Sequence, residues 1–215
     1  EHGELRDRVK NAFARHAITT WIHNKDIKSG QDFATAINVG IEQADNLVFF
    51  ISNKSLTSEY CIKELNYAIS FNKRIIPVLI EENITEEQPK VLSSLQYIDL
   101  LGADNENVFN QKIGALVGQI QNERRFYQQH KILLAQALKW ERQERNNSIL
   151  LRGYNLQNAQ AWLNIGKKRG VHSPVKLHEE FIEASTGQSG QENLEVFVSY
   201  SRTDGDFARK INEQL

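Results

Sequence analysis

One cysteine, Cys61, stands alone among 215 residues, so no disulfide can form within the chain. That usage suits a reducing compartment, and a cytoplasmic location is expected. Charge of one sign is lacking too. The formal net charge is -1, so no global field favours nucleic acid or an anionic membrane surface. No apolar run approaches the ~18 residues that mark a membrane span, and no charged-then-apolar leader is visible. No glycine-rich phosphate loop occurs, which argues against nucleotide hydrolysis of the P-loop type. His2, His16, His23, His130, His172 and His178 show no ligand spacing, so metal binding is not expected. Methionine is absent and the chain opens mid-pattern, as a piece of a longer protein would. What is present, 40% hydrophobic and 25% charged residues, is an ordinary globular composition. It suffices for one good core and a smaller appended unit.

The stretch Asn46–Ile69 organises the rest. Leu47-Val48-Phe49-Phe50-Ile51 is an unbroken apolar run, the pattern of a strand covered on both faces in a parallel sheet. A polar turn, Ser52 to Ser55, leads to a helical segment from Ser58 to Ile69. At about 100° per residue, Tyr60, Phe71, Ala68, Cys61, Leu65, Ile69 and Ile62 fill one arc of that helix. Glu64 falls inside the arc, between Phe71 and Ala68. One reading is a helix-edge acid whose stem covers apolar surface. The other is a functional carboxylate beside a cleft. Cys61, with no placed histidine partner, reads as a small buried hydrophobe.

Around this stretch the signals alternate. Gly3 to Arg15 carries a helical stripe of Leu5, Val9, Ala12 and Phe13. Ile18 to Ile22 is β-branched and aromatic and predicts a strand. Asn24 to Gln31 reads as a loop and Asp32 to Glu42 as a helix. Arg74 to Ile80 predicts a strand, with Pro77 arguing for an edge or a bulge. Leu95 to Leu100 alternates like a half-buried edge strand. Four strands separated by helices and loops mean right-handed crossovers and a doubly wound parallel sheet, with its crevice at the C-terminal strand ends. From Val108 to Ser185 only helix signals follow, and Thr186 to Gln191 reads as a flexible linker.

The chain then repeats itself. Leu194-Glu195-Val196-Phe197-Val198-Ser199-Tyr200 predicts a strand, and Gly205 to Leu215 a helix. That helix matches Gly3 to Phe13 in its glycine, acidic, basic and apolar positions. The expected organisation is an α/β unit over 1–103 without a leading strand, a helical extension over 104–186 and a linker over 187–193. Residues 194–215 then begin a second copy, or supply the strand that completes the first.

With the repeat in place, the chain resembles the Toll/interleukin-1 receptor (TIR) domain family. Val196 to Ser201 is similar to the family's first-strand box. Trp21 through Gly30 and Phe33 resemble its second strand and the long loop after it. Leu47 to Ser52 and Ser58-x-Tyr60-Cys61-x-x-Glu64-Leu65 resemble its third strand and the helix carrying a W/Y-x-x-x-E signature. Ala137-Leu138-x-Trp140-Glu141 and Leu150 to Leu156 are similar to helical regions that follow such domains in bacterial multidomain proteins. The resemblance implies a flavodoxin-like parallel sheet with an appended all-helical segment, in tandem copies joined by a helical spacer.

It implies one of two functions. Some TIR domains cleave NAD+ at the nicotinamide–ribose bond; others recruit like domains. On the first, Glu64 is the catalytic carboxylate and NAD+ is a substrate, with no resident cofactor. Tyr60 packs on the ligand, Lys28 and Gly30 belong to a mobile loop over the cleft, and Ser199 and Arg202 lie in a loop giving polar and basic contacts. The family often has an acid where this chain has His23, and tryptophan where it has Tyr60. The expected partners are other TIR domains and NAD+, with neither nucleic acid nor membrane. A receiver-domain alternative would need an aspartate after the central strand, where Ser52-Asn53 stands.

Overall fold

The computed structural model describes residues 2–22 and 32–188. The Asn24–Gln31 loop, the Leu194–Tyr200 strand and the Gly205–Leu215 helix expected from sequence lie outside these residues, as does most of the linker. Three parallel strands form the described sheet: β1 (Asn46–Ile51), β2 (Arg74–Leu79) and β3 (Ile98–Asp99), in that spatial order. Asn46 pairs with Arg74 and Ile51 with Leu79. Val78 pairs with Ile98.

Helices cover both faces. On one, α1 (His2–Arg15) and α6 (Glu106–Gln121) bury Val9, Phe13, Phe109, Ile113 and Leu116 against Ile76 and Val78. On the other, α4 (Glu59–Ser70) and the short α5 (Lys90–Ser93) bury Leu65 and Leu92 against Phe49, Ile51 and Ile75. The side chains alternate between these cores along each strand, as a period of two dictates. Helix α2 (Phe33–Gln43) packs Ile37 and Ile41 on Ala68 of α4. Asp32 caps α2 by accepting from the Thr35 N–H, and hydrogen bonds from the Thr35 side chain and then its backbone lower the Asp32 pKa. Helix α6, which the sequence pattern groups with the helical extension, is part of the sheet core.

The extension proper follows. Helix α7 (Arg124–Arg142), a 3-10 turn (Asn147–Ile149), α8 (Gly153–Gly166) and α9 (Lys176–Gln188) enclose Leu133, Ala137, Trp140, Leu156, Trp162 and Phe181. Ser173-Pro174 precedes α9, which starts at Lys176.

Two expectations need correction. Pro77 does not mark an edge strand: it lies in β2, the middle strand. The hydrogen bonds explain why it is tolerated. The Ile80 N–H donates to Ile51 O, and the Leu100 N–H donates to Leu79 O. Odd-numbered residues of β2 therefore face β3, and β3 pairs only from Val78 onward. The missing N–H of Pro77 points where no ladder bond is made. Ile18–Ile22, expected as a strand, carries no ladder among the described residues. The segment and β1 both line a cavity of about 690 Å³, so among the described residues no strand lies close enough to hydrogen-bond with it.

Candidate functional site

The C-terminal end of β1 is built by local polar chemistry. Ser52 caps a one-turn helix, α3 (Asn53–Thr57), in a reciprocal box with Ser55. Asn53 then ties this corner to the loop after β2. Its backbone N–H and its Nδ2 donate to the two Glu81 carboxylate oxygens at 2.9 and 2.8 Å. Its Oδ1 accepts from the Thr85 N–H at 2.8 Å and the Glu86 N–H at 3.2 Å. Sequence reasoning used Asn53 only to set aside a receiver domain. Its role as a hub has no signal in a single sequence, because the partners lie about 30 residues downstream.

Ser58 caps α4 by accepting from the Cys61 N–H. Leu65 and Ala68 are fully buried, which fixes the rotation of the helix. Leu65 reaches the sheet and Ala68 reaches α2. Glu64 is half-buried and lines a cavity of about 690 Å³. Ile18 to Ile22 form one wall of that cavity and Asn46, Leu47, Val48 and Phe50 the opposite one; α1 and α2 contribute Phe13, Ile37 and Gly40. So the acid found inside the apolar arc by helical spacing does face a chamber between elements.

Tyr60, one turn earlier, is 64% exposed and meets the Phe33 ring edge-on with centroids 6.0 Å apart. Phe33 and Trp21 are exposed as well, Trp21 lying against Gly40 of α2. Tyr60 and Trp21 are thus less covered than their apolar type suggests. Lys28, Gly30, Ser199 and Arg202, the other expected site residues, lie outside the described residues, as does His23.

The opposite end of the cavity is basic. Lys73, Arg124 and Lys131 line it, with Asp45 paired to Lys131 at 2.8 Å. Lys73 is buried and donates to the Glu42 and Ala44 carbonyls at 2.7 and 2.8 Å, satisfying the last turn of α2. Burial lowers its pKa to about 8. Sequence reasoning missed this rim, because its residues come from three separated segments. Among the described residues, no group of three potential ligand side chains is placed to hold a metal ion.

This parallel sheet with helices on both faces has the signature helix beside its cleft. A TIR-domain family model matches residues 1–113, more than half of the 215, and the chain belongs to the TIR domain family. Among solved structures, it is similar to the TIR domain of the Toll-related receptor TRR-2 from the lower metazoan Hydra magnipapillata. The identity is 26%, over 54% of this chain and 91% of that one, with a TM-score of 0.42. No curated protein matches the chain.

Proposed function

We propose that this chain is a TIR-type NAD+ glycohydrolase, releasing nicotinamide with Glu64 as its catalytic carboxylate. The carrying observation is the half-buried Glu64 lining a chamber of about 690 Å³. Loss of nicotinamide leaves positive charge on the ribose, a state akin to that of glycoside hydrolysis. A fixed carboxylate in a water-poor chamber stabilises that charge. The exposed Tyr60 ring, one turn of α4 before Glu64, and the Phe33 ring against it offer flat faces for stacking, although neither lines the chamber itself. Lys28 and Gly30 would close over the ligand, while Ser199 and Arg202 would supply polar and basic contacts. On this reading the protein acts in bacterial defence or signalling, in the cytoplasm, after tandem copies self-assemble through TIR contacts. Among the described residues no helix is long and apolar enough to cross a membrane.

The test is nicotinamide release from the concentrated, assembled protein, beside Glu64→Ala. Release by the first and a fall of at least ~100-fold in the second is the expected result. Equal release by both would end the proposal.

A second reading, a non-catalytic scaffold for TIR association, is favoured by the exposed Phe33–Tyr60 pair. Phe33 and Tyr60 are exposed and in edge-to-face contact, and aromatic residues are enriched at interface centres. It predicts concentration-dependent association that Tyr60→Ala weakens, measured by light scattering. An assembly unchanged by that substitution would count against it.

A further inference from the structure

Building on the catalytic role proposed for Glu64, we infer that Arg142 of the helical extension is a positioning residue for it. Arg142 acts through Glu42 and Tyr67 and holds α4, the helix that carries the acid. Glu42 is an acid in an unfavourable place. It is 3% exposed and lies in the last turn of α2, where no basic residue stands. Its charge is therefore desolvated and set at the negative end of a helix dipole. The compensation arrives from elsewhere in the chain. Arg142, the last residue of α7, donates from Nη2 to Glu42 Oε1 at 2.5 Å, across 100 residues of sequence. The Tyr67 hydroxyl of α4 donates to the same oxygen at 2.6 Å. One buried oxygen thus joins two helices of the α/β unit to the extension.

Other polar contacts gather at the same end. Lys131 of α7 pairs with Asp45, just beyond α2, at 2.8 Å. Asn72, just beyond α4, donates from Nδ2 to Ser173 O of the extension at 3.1 Å. Its left-handed backbone, with φ 50°, ends α4, and its N–H donates to Ile69 O. Lys73 follows and donates to the Glu42 and Ala44 carbonyls. The C-terminal ends of α2 and α4 are therefore fastened to each other and to the extension. The opposite end of α4 is open, with Tyr60 64% exposed.

The distance from the fastening to the acid is short. Tyr67 follows Glu64 by three residues, which is about 4.5 Å along the helix axis and about 60° around it. Residues three apart share a helix face, so a rotation imposed at Tyr67 carries Glu64 with it. A misplacement of about 1 Å in a catalytic geometry can cost ~100-fold in rate. Neither Arg142, Glu42 nor Tyr67 lines the chamber, so each acts on the site through α4 and not by touching a ligand there. The extension is then more than a spacer: a displacement of α7 reaches the carboxylate.

The test uses the full chain, concentrated and assembled, as wild type, Arg142→Ala, Arg142→Lys, Tyr67→Phe and Leu156→Ala, each well below its melting temperature. Leu156 is buried in the extension's own core, so its variant lowers stability without altering the contacts of Glu42. Arg142→Ala should lower kcat for nicotinamide release ~10-fold, with KM nearly unchanged. Arg142→Lys should recover most of that loss, because Arg142 gives Glu42 a single hydrogen bond. Tyr67→Phe should resemble Arg142→Ala, and combining the two should add little. Tyr67→Phe also keeps the test valid if Arg142→Ala fails to fold. Leu156→Ala should keep the wild-type kcat. Amide hydrogen exchange at Leu65 and Ala68 of α4, without substrate, reads the positioning apart from catalysis. It should be roughly 10-fold faster in Arg142→Ala and unchanged in Leu156→Ala. If the wild type releases no nicotinamide, the catalytic reading fails and the exchange alone decides whether Arg142 holds α4. Equal kcat and equal exchange in Arg142→Ala and Leu156→Ala would overturn the inference, as would an effect confined to KM.

Discussion

The two halves of the molecule close their cores to different degrees. The helical extension is sealed: Leu133, Leu134, Ala137, Ala159 and Phe181 are all at most 1% exposed. The α/β unit is sealed around β2 but open along the outer edge of β1, where the chamber lies. Both halves follow the same hydrophobic patterning. The difference shows that openness here is local and directional, confined to one strand edge, and that edge is also where Glu64 sits. A seam of charge joins the halves. Buried Glu42 of α2 accepts hydrogen bonds from Tyr67 of α4 and from Arg142 of α7. Arg74 of β2 donates to Asn122 O and stacks over the Tyr127 ring at 4.6 Å.

The largest expected effect distinguishes the halves by pH. His130 and His178 are buried in the extension, 4.7 Å apart between ring centroids. The Val175 N–H donates to His178 Nδ1, so Nε2 carries the proton and donates to His130 O. Burial pushes His178 down to about 4 and His130 down to about 2, from 6.5. Below pH 6.5 the unfolded chain therefore binds more protons than the folded one. Their contribution to stability is complete above pH 6.5 and declines as pH falls, toward 4 for His178 and further for His130. The loss by pH 5 is roughly 2 kcal/mol per histidine. Trp140 and Trp162 fluorescence, followed in a Trp21→Phe chain, should report acid unfolding of the extension ahead of the sheet. Simultaneous loss of both halves would break the comparison.

Removing the seam comes next. Glu42 is 3% exposed, and Arg142→Ala would remove the guanidinium that shares its Oε1 with the Tyr67 hydroxyl. Because Arg142 itself is about half-exposed, the expected cost is about 2 kcal/mol rather than the larger figure for a fully buried pair. Urea unfolding measures it. In a Tyr67→Phe background the Arg142→Ala cost should change, since both groups share one oxygen.

Two glycines test openness directly. A Cβ on Gly166 would lie 2.6 Å from Pro174 Cγ, with the Phe126 ring behind it at 3.7 Å. Gly166→Ala in this sealed half should cost about 2 kcal/mol by overpacking. A Cβ on Gly40 would lie 2.8 Å from the Trp21 ring, a similar clash. Trp21 is 40% exposed at the open edge and can swing aside. Gly40→Ala should therefore cost less than about 1 kcal/mol, offset by the better helix propensity of alanine. Equal thermal shifts for both variants would remove the distinction between the halves.

Much of the architecture was legible because it is local. The apolar run of β1, the stripe of α1 and the arc of α4 are periodic over a few residues, and Glu64 stood out as a break in that arc. What was not legible depends on distant partners. Pro77 suggested an edge, yet its tolerance in β2 depends on where β3 begins to pair. Ile18–Ile22 had strand chemistry, but a strand also needs a neighbour. The basic end of the chamber and the Glu42–Tyr67–Arg142 seam join segments that sequence spacing cannot relate. The Asn53 hub was invisible for the same reason.

The most direct test of Glu64's role compares nicotinamide release by the assembled wild-type protein and Glu64→Gln. The two should be matched for melting temperature, so that folding does not enter. A drop of at least ~100-fold in the variant, with NAD+ still bound, is the predicted result. Release at the same rate from both proteins would contradict it.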